Sequence, residues 1–482
     1  MTRKPQRQWL VLAVLVALAG FLRFYKLDGQ LWLDEVSALT GSYRNSFWQI
    51  LTVFPEHFPH PLYEQLAHGS LVLFGESPFA IRLPAAIFGL ANVFMFYRLS
   101  RRLSGEGEAL LGAGLLAVSY HHIYFSQNAR GYTLYLFLAL VATDLLLSLL
   151  KEMRWRTALA YIGVAALAAY SQTAGIALAP GQLLVALVVV CSMRASERAN
   201  FPKPWHLIAM FILTALLVLL LYAPIIGGNI GYTSAVAGDE APVARSARIF
   251  DVIVEVLHGL VPTLSTGVIL ALVAFVCAIG AWDFLRRQRT ALAMLIVPVL
   301  ISFIGMVALG AALHSRYFLL ALIVAYLLGT RGLVIMFQKI RPVSQVGWTA
   351  SALGMATIVL AALPLLSYFS MPKQDYLGAL REVRAAARPG DRTVGADLAA
   401  HVYQKYYAPD FAAVETLDDL LREEASGQAV WVITTFERIE AKRRPDLLAR
   451  LHSQYQLVRI LPASTGDGEM RIYHRTAAMP PG

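Results

Sequence analysis

Eleven apolar runs, most of them long enough to cross a lipid bilayer, dominate the chain and leave few folds open to it. A helix needs about 20 apolar residues to span the hydrocarbon core, and the runs lie near residues 9–24, 81–100, 109–125, 132–150, 157–178, 179–193, 206–226, 265–285, 291–312, 317–337 and 348–370. Only 15% of the residues are charged, against about 25% in a typical soluble protein. The sequence therefore predicts an α-helical polytopic membrane protein with about eleven transmembrane helices and excludes soluble, disordered and disulfide-stabilised classes.

The distribution of basic residues indicates the orientation of these spans. With the N-terminus inside, the inner helix ends carry 18 Lys and Arg residues and the outer ends carry eight, so the positive-inside rule places the N-terminus in the cytoplasm. An odd number of spans then places the C-terminal segment outside. The apolar stretch from Leu62 to Phe74 is too short to span, and we expect a re-entrant or interfacial helix on the outer face. The first run could be a cleavable signal peptide, but we expect it to stay as a span because the segment after it looks functional.

The predicted transmembrane domain covers residues 1–370. It has two long outer segments, 25–80 and 227–264, and membrane proteins seldom keep long loops on one face without a use for them. The second of these contains an amphipathic pattern near 249–258 that favours a helix lying at the interface.

The C-terminal segment, residues 371–482, changes from apolar runs to alternating helices and strands. Helices are predicted at 376–387, 398–407, 416–425 and 437–453, and strands at 392–395, 429–434, 456–461 and 469–473. This alternation predicts a small extracytoplasmic α/β domain. The segment has no glycine-rich phosphate loop, so we expect no nucleotide site there.

The net charge of +10 needs an explanation, because basic proteins often bind nucleic acid. The C-terminal segment is balanced, with 15 basic and 15 acidic residues. The excess therefore lies in the membrane part, where it reflects orientation, and we expect no nucleic-acid partner. The two cysteines, Cys191 and Cys277, lie in apolar runs without the spacing of a disulfide or metal site.

Two adjacent carboxylates, Asp34 and Glu35, follow the first apolar run by a few residues. They could be the cap and first turn of a helix, or one of them could be a general base, because partial desolvation at a membrane boundary raises the pKa of a carboxylate. His57 and His60 stand three residues apart among prolines. A zinc site with an acidic partner is conceivable there, but the prolines favour a turn in which His60 and Tyr63 orient a substrate.

A set of cationic and aromatic residues falls on the same predicted face as these acids: Arg82, Arg130, Tyr132, His314, Arg316 and Tyr317. Each arginine could simply reach up to lipid phosphates. Acids and arginines that gather at one lipid interface are also typical of a reaction on a lipid-linked phosphate, because the planar guanidinium binds phosphate oxygens in pairs.

Four stretches resemble the membrane glycosyltransferases of the C-type fold, in the dolichyl/undecaprenyl-phosphate-mannose protein mannosyltransferase-like group that includes the lipid A aminoarabinose transferase. They are WLDEVSAL at 32–39, HPLY at 60–63 with IRLPAAIFG at 81–89, FSQNARGYTLYLFL at 125–138, and HSRYFLLAL at 314–322. The first three cover roughly residues 20–150. The group's usual HPPLYY reads HPLYEQ here, and Gln172 stands where relatives commonly have histidine, which puts a metal or a particular acceptor in doubt.

The resemblance implies an inverting sugar transferase of the bacterial inner membrane that acts on the periplasmic face. The donor would carry one sugar on a polyprenyl phosphate, Asp34 would be the general base with Glu35 as the competing candidate, and Arg130 and Arg316 would stabilise the departing phosphate. His60, Tyr63, Arg82, Tyr132, His314 and Tyr317 would complete the substrate site. The chemistry requires no cofactor; a divalent metal stays an open alternative.

The partners that follow are the lipid-linked donor, a lipid, glycan or protein acceptor, and membrane lipids. The competing interpretation is a transporter or flippase for a lipid-linked sugar. Transporters usually place polar sites near the bilayer midplane on broken helices and in repeated halves. Here the polar residues gather at one face and the sequence shows no internal repeat, which favours the transferase.

Overall fold

The computed structural model describes residues 3–52, 60–193, 201–225, 267–309, 315–340 and 346–477. The helices of the predicted membrane part are α1 (Arg3–Phe24), α2 (Leu33–Ala38), α3 (Phe47–Thr52), α4 (Pro61–Phe74), α5 (Pro78–Ser104), α6 (Glu106–Ala117), α7 (Tyr120–Ser126), α8 (Tyr132–Leu149), α9 (Trp155–Ser171), α10 (Leu178–Ser192), α11 (Pro204–Tyr222), α12 (Gly267–Arg287), α13 (Arg289–Ala308), α14 (Leu319–Ile340), α15 (Val346–Ala362) and α16 (Pro364–Ser370). This part of the chain also contains a π-helical turn (Leu39–Tyr43) and 3-10 helices at Thr173–Ala177 and Ser315–Phe318.

Among the described residues, seven helical stretches are long and apolar enough to cross a membrane: Pro78–Ser104, Tyr132–Leu149, Thr173–Ser192, Pro204–Ile225, Arg289–Ala308, Arg316–Lys339 and Ala352–Ser370. Gln8–Phe24 is a shorter apolar helix. The predicted class, a multi-pass helical membrane protein with a small C-terminal α/β part, is confirmed. The count of eleven spans and the orientation stay predictions, and the outer segment 227–264 with its amphipathic pattern lies outside the described residues.

The run predicted as a single span at 109–125 is two helices, α6 and α7. The chain leaves the helical conformation between them, and the Ser119 hydroxyl accepts a hydrogen bond from the backbone N–H of His122 at 3.3 Å, which caps α7. A serine that caps satisfies one of the free N–H groups at a helix start. The sequence marks this break with the polar run Ser119-Tyr120-His121-His122, which the prediction of one continuous span passed over.

The chain divides into two compact units, each built from several segments. The helical unit comprises Met1–Leu27, Asn45–Glu76 and Ala80–Leu365, and the mixed unit comprises Asp28–Arg44, Ser77–Phe79 and Leu366–Gly482. The sequence-based division at residue 370 runs along the chain, so it could not show that Asp28–Arg44 belongs with the C-terminal segment.

In the helical unit, polar side chains bond across helices that are otherwise apolar. The Tyr161 hydroxyl donates to Gln182 Oε1 at 3.1 Å, and Gln182 Nε2 donates to Thr143 Oγ1 at 2.9 Å, which links α9, α10 and α8. Such interhelical bonds in membrane proteins contribute about 0.6 kcal/mol each. The close approach of α10 and α13 requires Gly181, because a Cβ there would lie 2.7 Å from the backbone N of Pro298.

The mixed unit is built around a five-stranded sheet of order β2-β1-β3-β5-β4. The strands are β1 (Arg392–Ala396), β2 (Ala412–Val414), β3 (Val430–Thr435), β4 (Gln456–Leu461) and β5 (Met470–Arg475), and the helices are α17 (Tyr376–Ala386), α18 (Leu398–Val402), α19 (Leu417–Glu424), α20 (Glu437–Arg443) and α21 (Pro445–Gln454). Strands β1, β2 and β3 are parallel, and β4 and β5 are antiparallel neighbours.

Most of the predicted elements of this segment are present. Two details differ from the prediction. The short edge strand β2 was not predicted, and the helix expected at 437–453 is split, because Pro445 lacks a backbone N–H and starts a new helix at α21.

Candidate active site

Asp34 and Glu35 both lie in the first turn of α2, and their surroundings differ. The helix is capped by Trp32 without a side-chain hydrogen bond, so neither acid is the cap that one interpretation of the sequence expected. Glu35 is completely buried, and its Oε1 lies 3.9 Å from Nζ of Lys373. Asp34 is partly exposed. Adjacent helical residues point about 100° apart, so one acid faces inward and the other does not.

The segment that carries these acids is fixed to the sheet of the mixed unit. Gln374 forms the central link: its Oε1 accepts from the Leu33 N–H at 3.0 Å, and its Nε2 donates to Thr435 Oγ1 at 2.8 Å, at the carboxyl end of β3. Three further bonds join Gln30 Nε2 to Asp375 Oδ1 (2.8 Å), the Leu377 N–H to Gln30 Oε1 (2.9 Å) and the Tyr407 hydroxyl to the Leu31 carbonyl (2.9 Å).

The Asp34 carboxylate lies close enough to Tyr376 to affect its ionisation. Burial first, then Tyr407 and the Asp34 carboxylate, raise the pKa of the Tyr376 phenol well above its usual range. Lys373 also lies over the ring of Trp32, with Nζ 5.7 Å from the centroid. The four consecutive residues from Lys373 to Tyr376 therefore surround the acidic turn, and none of them was singled out from the sequence. The sequence feature that could have identified these four residues is that they form a short polar run soon after the last apolar run.

His60 directly precedes α4 in the helical unit and is buried. Its backbone N–H donates to Glu64 Oε1 at 2.9 Å, and its Nδ1 lies 3.0 Å from the Ser171 carbonyl. Because a carbonyl can only accept, Nδ1 carries the proton and Nε2 keeps a lone pair. Burial, and then the charge of Arg130, hold the pKa of His60 well below its ordinary range. The ring is therefore neutral near pH 7, and its Nε2 has no hydrogen-bond partner in the part of the chain that is described.

Arg130, Tyr132 and Arg316 lie in the neighbourhood of this histidine. The Tyr132 ring meets the His60 ring edge-on with centroids 5.0 Å apart. Both guanidinium groups are near enough to lower the pKa of His60, Arg130 more than Arg316. Arg130 comes from the loop between α7 and α8, and Arg316 from the 3-10 helix before α14, where it lies 5.6 Å from the Tyr317 ring centroid. His314 and His57 lie outside the described residues.

Tyr63 and Arg82 have contacts that favour a structural role. The buried Tyr63 hydroxyl donates to the Ile81 carbonyl at 2.6 Å, and Arg82 Nη1 donates to the Leu27 carbonyl at 2.8 Å. The first bond joins α4 to α5, and the second joins α5 to the residues that follow α1. Substrate binding by either residue stays a prediction.

Gln172, noted in the sequence only as a departure from relatives, is the most unusual polar side chain near His60. It is 2% exposed, directly follows Ser171 and has extended backbone at the end of α9. Neither its Oε1 nor its Nε2 has a hydrogen-bond partner among the described residues. A buried polar group without a partner is costly, so an unpartnered amide beside a functional candidate points to a ligand.

Gly131 makes the close approach of these elements possible. A Cβ at Gly131 would lie 2.5 Å from the Ser171 carbonyl oxygen and 3.0 Å from His60 Nδ1. Only glycine fits between the loop of Arg130 and the His60–Ser171 bond. Among the described residues, no group of three or more His, Cys, Asp or Glu side chains could hold a metal ion.

Comparison with known proteins supports the resemblance seen in the motifs. The family model of the dolichyl-phosphate-mannose-protein mannosyltransferases matches residues 58–226. The structure is similar to ArnT from Cupriavidus metallidurans in the apo state, with a TM-score of 0.57 and 15% identity over 99% of this chain and 100% of that one. The similarity to the same protein bound to undecaprenyl phosphate has a TM-score of 0.50 and 16% identity, over 98% of this chain and 99% of that one.

The structure is also similar to the Archaeoglobus fulgidus oligosaccharyltransferase in complex with Zn and sulfate, with a TM-score of 0.52 and 14% identity over 95% of this chain and 72% of that one. No curated protein sequence matches. The chain therefore has the C-type glycosyltransferase fold, and its resemblance to the mannosyltransferase-like group is confirmed.

Proposed function

We propose that the protein is an integral-membrane glycosyltransferase that moves a sugar from a polyprenyl-phosphate donor to a hydroxyl acceptor on the periplasmic face of a bacterial inner membrane. The observation that carries this proposal is the positive charge of Arg130 and Arg316 near the buried, neutral His60. The fold and the family model support it. So does the similar structure of ArnT from Cupriavidus metallidurans, which is bound to undecaprenyl phosphate.

In the proposed reaction, the two guanidinium groups bind the donor phosphate through paired N–H donors. The acceptor oxygen attacks the anomeric carbon, the bond from that carbon to the phosphate oxygen breaks, and the bonding electrons leave with the polyprenyl phosphate. Negative charge grows on the phosphate as the bond breaks, so cations that are already in place stabilise the transition state more than the ground state. The phosphate leaves as an anion and needs no proton.

His60 and Gln172 are suited to bind the neutral part of the donor. The His60 Nε2 lone pair accepts a hydrogen bond, and the Gln172 amide both donates and accepts. A sugar hydroxyl can satisfy either group, and we propose that the bound donor does so. His60 Nε2 and the Gln172 amide would then bind the sugar. A charged side chain at either buried position would carry a large desolvation cost.

Asp34 is the proposed base, which takes the proton from the acceptor hydroxyl. Its neighbour Glu35 is fully buried, and its Oε1 lies 3.9 Å from Nζ of the buried Lys373. The partly exposed Asp34 does not share that burial. A carboxylate that must meet an incoming acceptor needs access, so the contrast in burial favours Asp34.

Transport of a lipid-linked sugar is the second candidate, and the main acid within an apolar run, Asp144, bears on it. A transporter needs a polar group that a substrate or coupling ion can reach. The Asp144 carboxylate accepts from Arg98 at 2.9 Å and from Arg102 at 2.7 Å, and its side chain is 9% exposed. These contacts give Asp144 a structural role and favour the transferase.

Turnover by the purified protein in liposomes tests the proposal, with a radiolabelled polyprenyl-phosphate sugar and release of polyprenyl phosphate as the readout. Arg130→Lys and Arg316→Lys keep the charge but lose the paired donors, and each should lower turnover by about 10²–10³-fold. Arg154→Lys, at an exposed site, is the matched control and should have no effect.

The outcome that supports transport is different. The label would then cross the membrane without cleavage of the sugar–phosphate bond. The proposed step uses side chains only, so parallel assays with EDTA should give the same turnover. Mass spectrometry of envelope glycans, with and without the protein, would identify the sugar and the acceptor.

A further inference from the structure

An amphipathic groove of about 560 Å³ lies between α12 and α14, and nothing in the proposed reaction uses it. Its apolar part is lined by Phe275, Ile279, Trp282 and Ile335. Its polar part is lined by Arg287, Arg331 and Lys339, with Asp283 as the one acid among the lining residues. The lining therefore carries more positive than negative charge.

The walls of this groove are held by direct backbone contact between the two helices. A Cβ at Gly280 would lie 1.9 Å from the Leu328 carbonyl oxygen, and a Cβ at Gly332 would lie 1.9 Å from the Val276 carbonyl oxygen. Small residues allow this approach in membrane helices. The larger side chains on either side of this close contact form the two walls of the groove. The packing of α12 against α14 therefore produces the groove.

Asp283 orients two of the three cations. Its carboxylate accepts from Arg331 Nε at 2.8 Å and from Arg287 Nε at 2.9 Å. Arg331 is also paired with Glu108. Lys339 is exposed, and in the described part of the chain it has no ion pair. Asp283 and Glu108 together balance the two arginines, so Lys339 leaves one net positive charge at the mouth of the groove, where the Arg287 side chain is 69% exposed.

The dimensions fit a phospholipid. From Phe275 to Arg287 the helix rises about 18 Å at 1.5 Å per residue, which is more than half of the roughly 30 Å hydrocarbon core. The apolar rim thus runs along the depth of an acyl chain, and the cations lie at the helix end, where a headgroup lies. On the orientation predicted from the sequence, this end is cytoplasmic, and basic grooves between helices on that side suit anionic headgroups.

We propose that this groove is a binding site for an anionic glycerophospholipid, with its phosphate at Arg287 and Lys339 and one acyl chain along Phe275, Ile279 and Trp282. The site does not depend on the proposed transferase activity. General attraction of exposed arginines to lipid is the alternative to exclude. The chain offers a matched control for it: Arg154 and Arg156 are exposed cations beside Trp155, with the Arg156 guanidinium 5.4 Å from the indole ring, and neither lines the groove.

Native mass spectrometry of the purified protein tests the site, with phosphatidylglycerol, cardiolipin, phosphatidylethanolamine and polyprenyl phosphate as separate probes. A cation near an anionic headgroup contributes about fivefold in affinity, so Arg287→Gln/Lys339→Gln should weaken phosphatidylglycerol or cardiolipin binding by about 25-fold. Arg154→Gln/Arg156→Gln removes the same charge and should leave it unchanged. Ala278→Phe fills the groove, keeps every charge, and should also weaken binding.

Equal losses in the two double variants, or no loss in the groove variants, would overturn the assignment. So would equal binding of phosphatidylethanolamine, or a groove that holds polyprenyl phosphate and no phospholipid. A difference between phosphatidylglycerol and cardiolipin identifies which anionic lipid the site prefers. If the charge variant fails to fold on size-exclusion chromatography, Ala278→Phe decides the question alone.

Discussion

Replacement of Glu35 by Gln should destabilise the protein far more than the same change one residue earlier, Asp34→Asn. The Glu35 side chain is fully buried, and the Lys373 side chain beside it is 7% exposed. Removal of one partner from a buried pair leaves an uncompensated charge, which costs about 3–5 kcal/mol. The separation of 3.9 Å is long for an ion pair, so we expect the lower end of this range, about 3 kcal/mol.

The double variant Glu35→Gln/Lys373→Met tests whether the lost charge balance is the cause. It removes both charges together, and the unfolding free energy should return to within about 1 kcal/mol of the parent value. Thermal unfolding in detergent, followed by tryptophan fluorescence, compares the parent with all variants. Asp34→Asn should lower the melting temperature less than Glu35→Gln does, because Asp34 is partly exposed, and it should lower turnover by about 10²–10⁴-fold, because it loses the proton acceptor.

Two results would refute this reasoning. If Glu35→Gln melts like the parent but abolishes turnover, while Asp34→Asn turns over normally, the base is Glu35 and burial was the wrong guide. If the single and double variants lose the same stability, Lys373 is not the group that Glu35 balances.

Four further predictions concern the remaining sites. Gly131→Ala should cost about 1–3 kcal/mol of stability, measured by thermal unfolding, because its Cβ would lie 2.5 Å from the Ser171 carbonyl oxygen. Gln172→Leu should raise the KM for the donor about tenfold with an unchanged melting temperature, and Gln172→His, which restores a polar group, should recover part of it. A cytoplasm-dependent reporter fused after residues 371–482 should stay silent, and a strong signal would reverse the predicted orientation. Burial raises the pKa of Glu440 to about 7 from an ordinary 4.5. The folded protein then holds this proton more tightly than the unfolded chain, so the free energy of unfolding should fall as the pH rises from 4.5 to 7 and stay level above. Glu440→Gln removes the buried charge and should restore about 3 kcal/mol of that free energy in thermal unfolding at pH 8.

The fold was largely predictable because its main signals are local. A run of about 20 apolar residues can satisfy its backbone in lipid only as a helix, and alternation of helix and strand in the C-terminal segment follows from periodicity within each element. The break between α6 and α7 was not predictable in the same way. Its local signal is the polar run Ser119-Tyr120-His121-His122, and because polar residues also occur inside membrane helices, such a run does not by itself fix a helix end.

The candidate site was predictable as a set of residues and not as a set of contacts. Arg130, Tyr132 and Arg316 were chosen because they fall at helix ends on one predicted face, and in the structure they lie near His60. Gln172 was noted only as a departure from relatives. Its importance depends on burial without a partner, a property of the folded chain that its neighbours in sequence do not encode.

The two adjacent acids show most clearly where a sequence stops being informative. Asp34 and Glu35 carry the same charge, share one helical turn and follow the same apolar run, so composition and spacing treat them alike. Their difference comes from Lys373, which is distant in sequence and lies beside Glu35 because Gln374 and Asp375 bond to the backbone and side chains of the Gln30–Leu33 segment. A fully buried carboxylate is poorly placed to exchange a proton with an incoming substrate. The assignment of the base to Asp34 therefore depends on how the C-terminal segment holds this turn, and a change at Lys373 should alter stability before it alters the chemistry of Asp34.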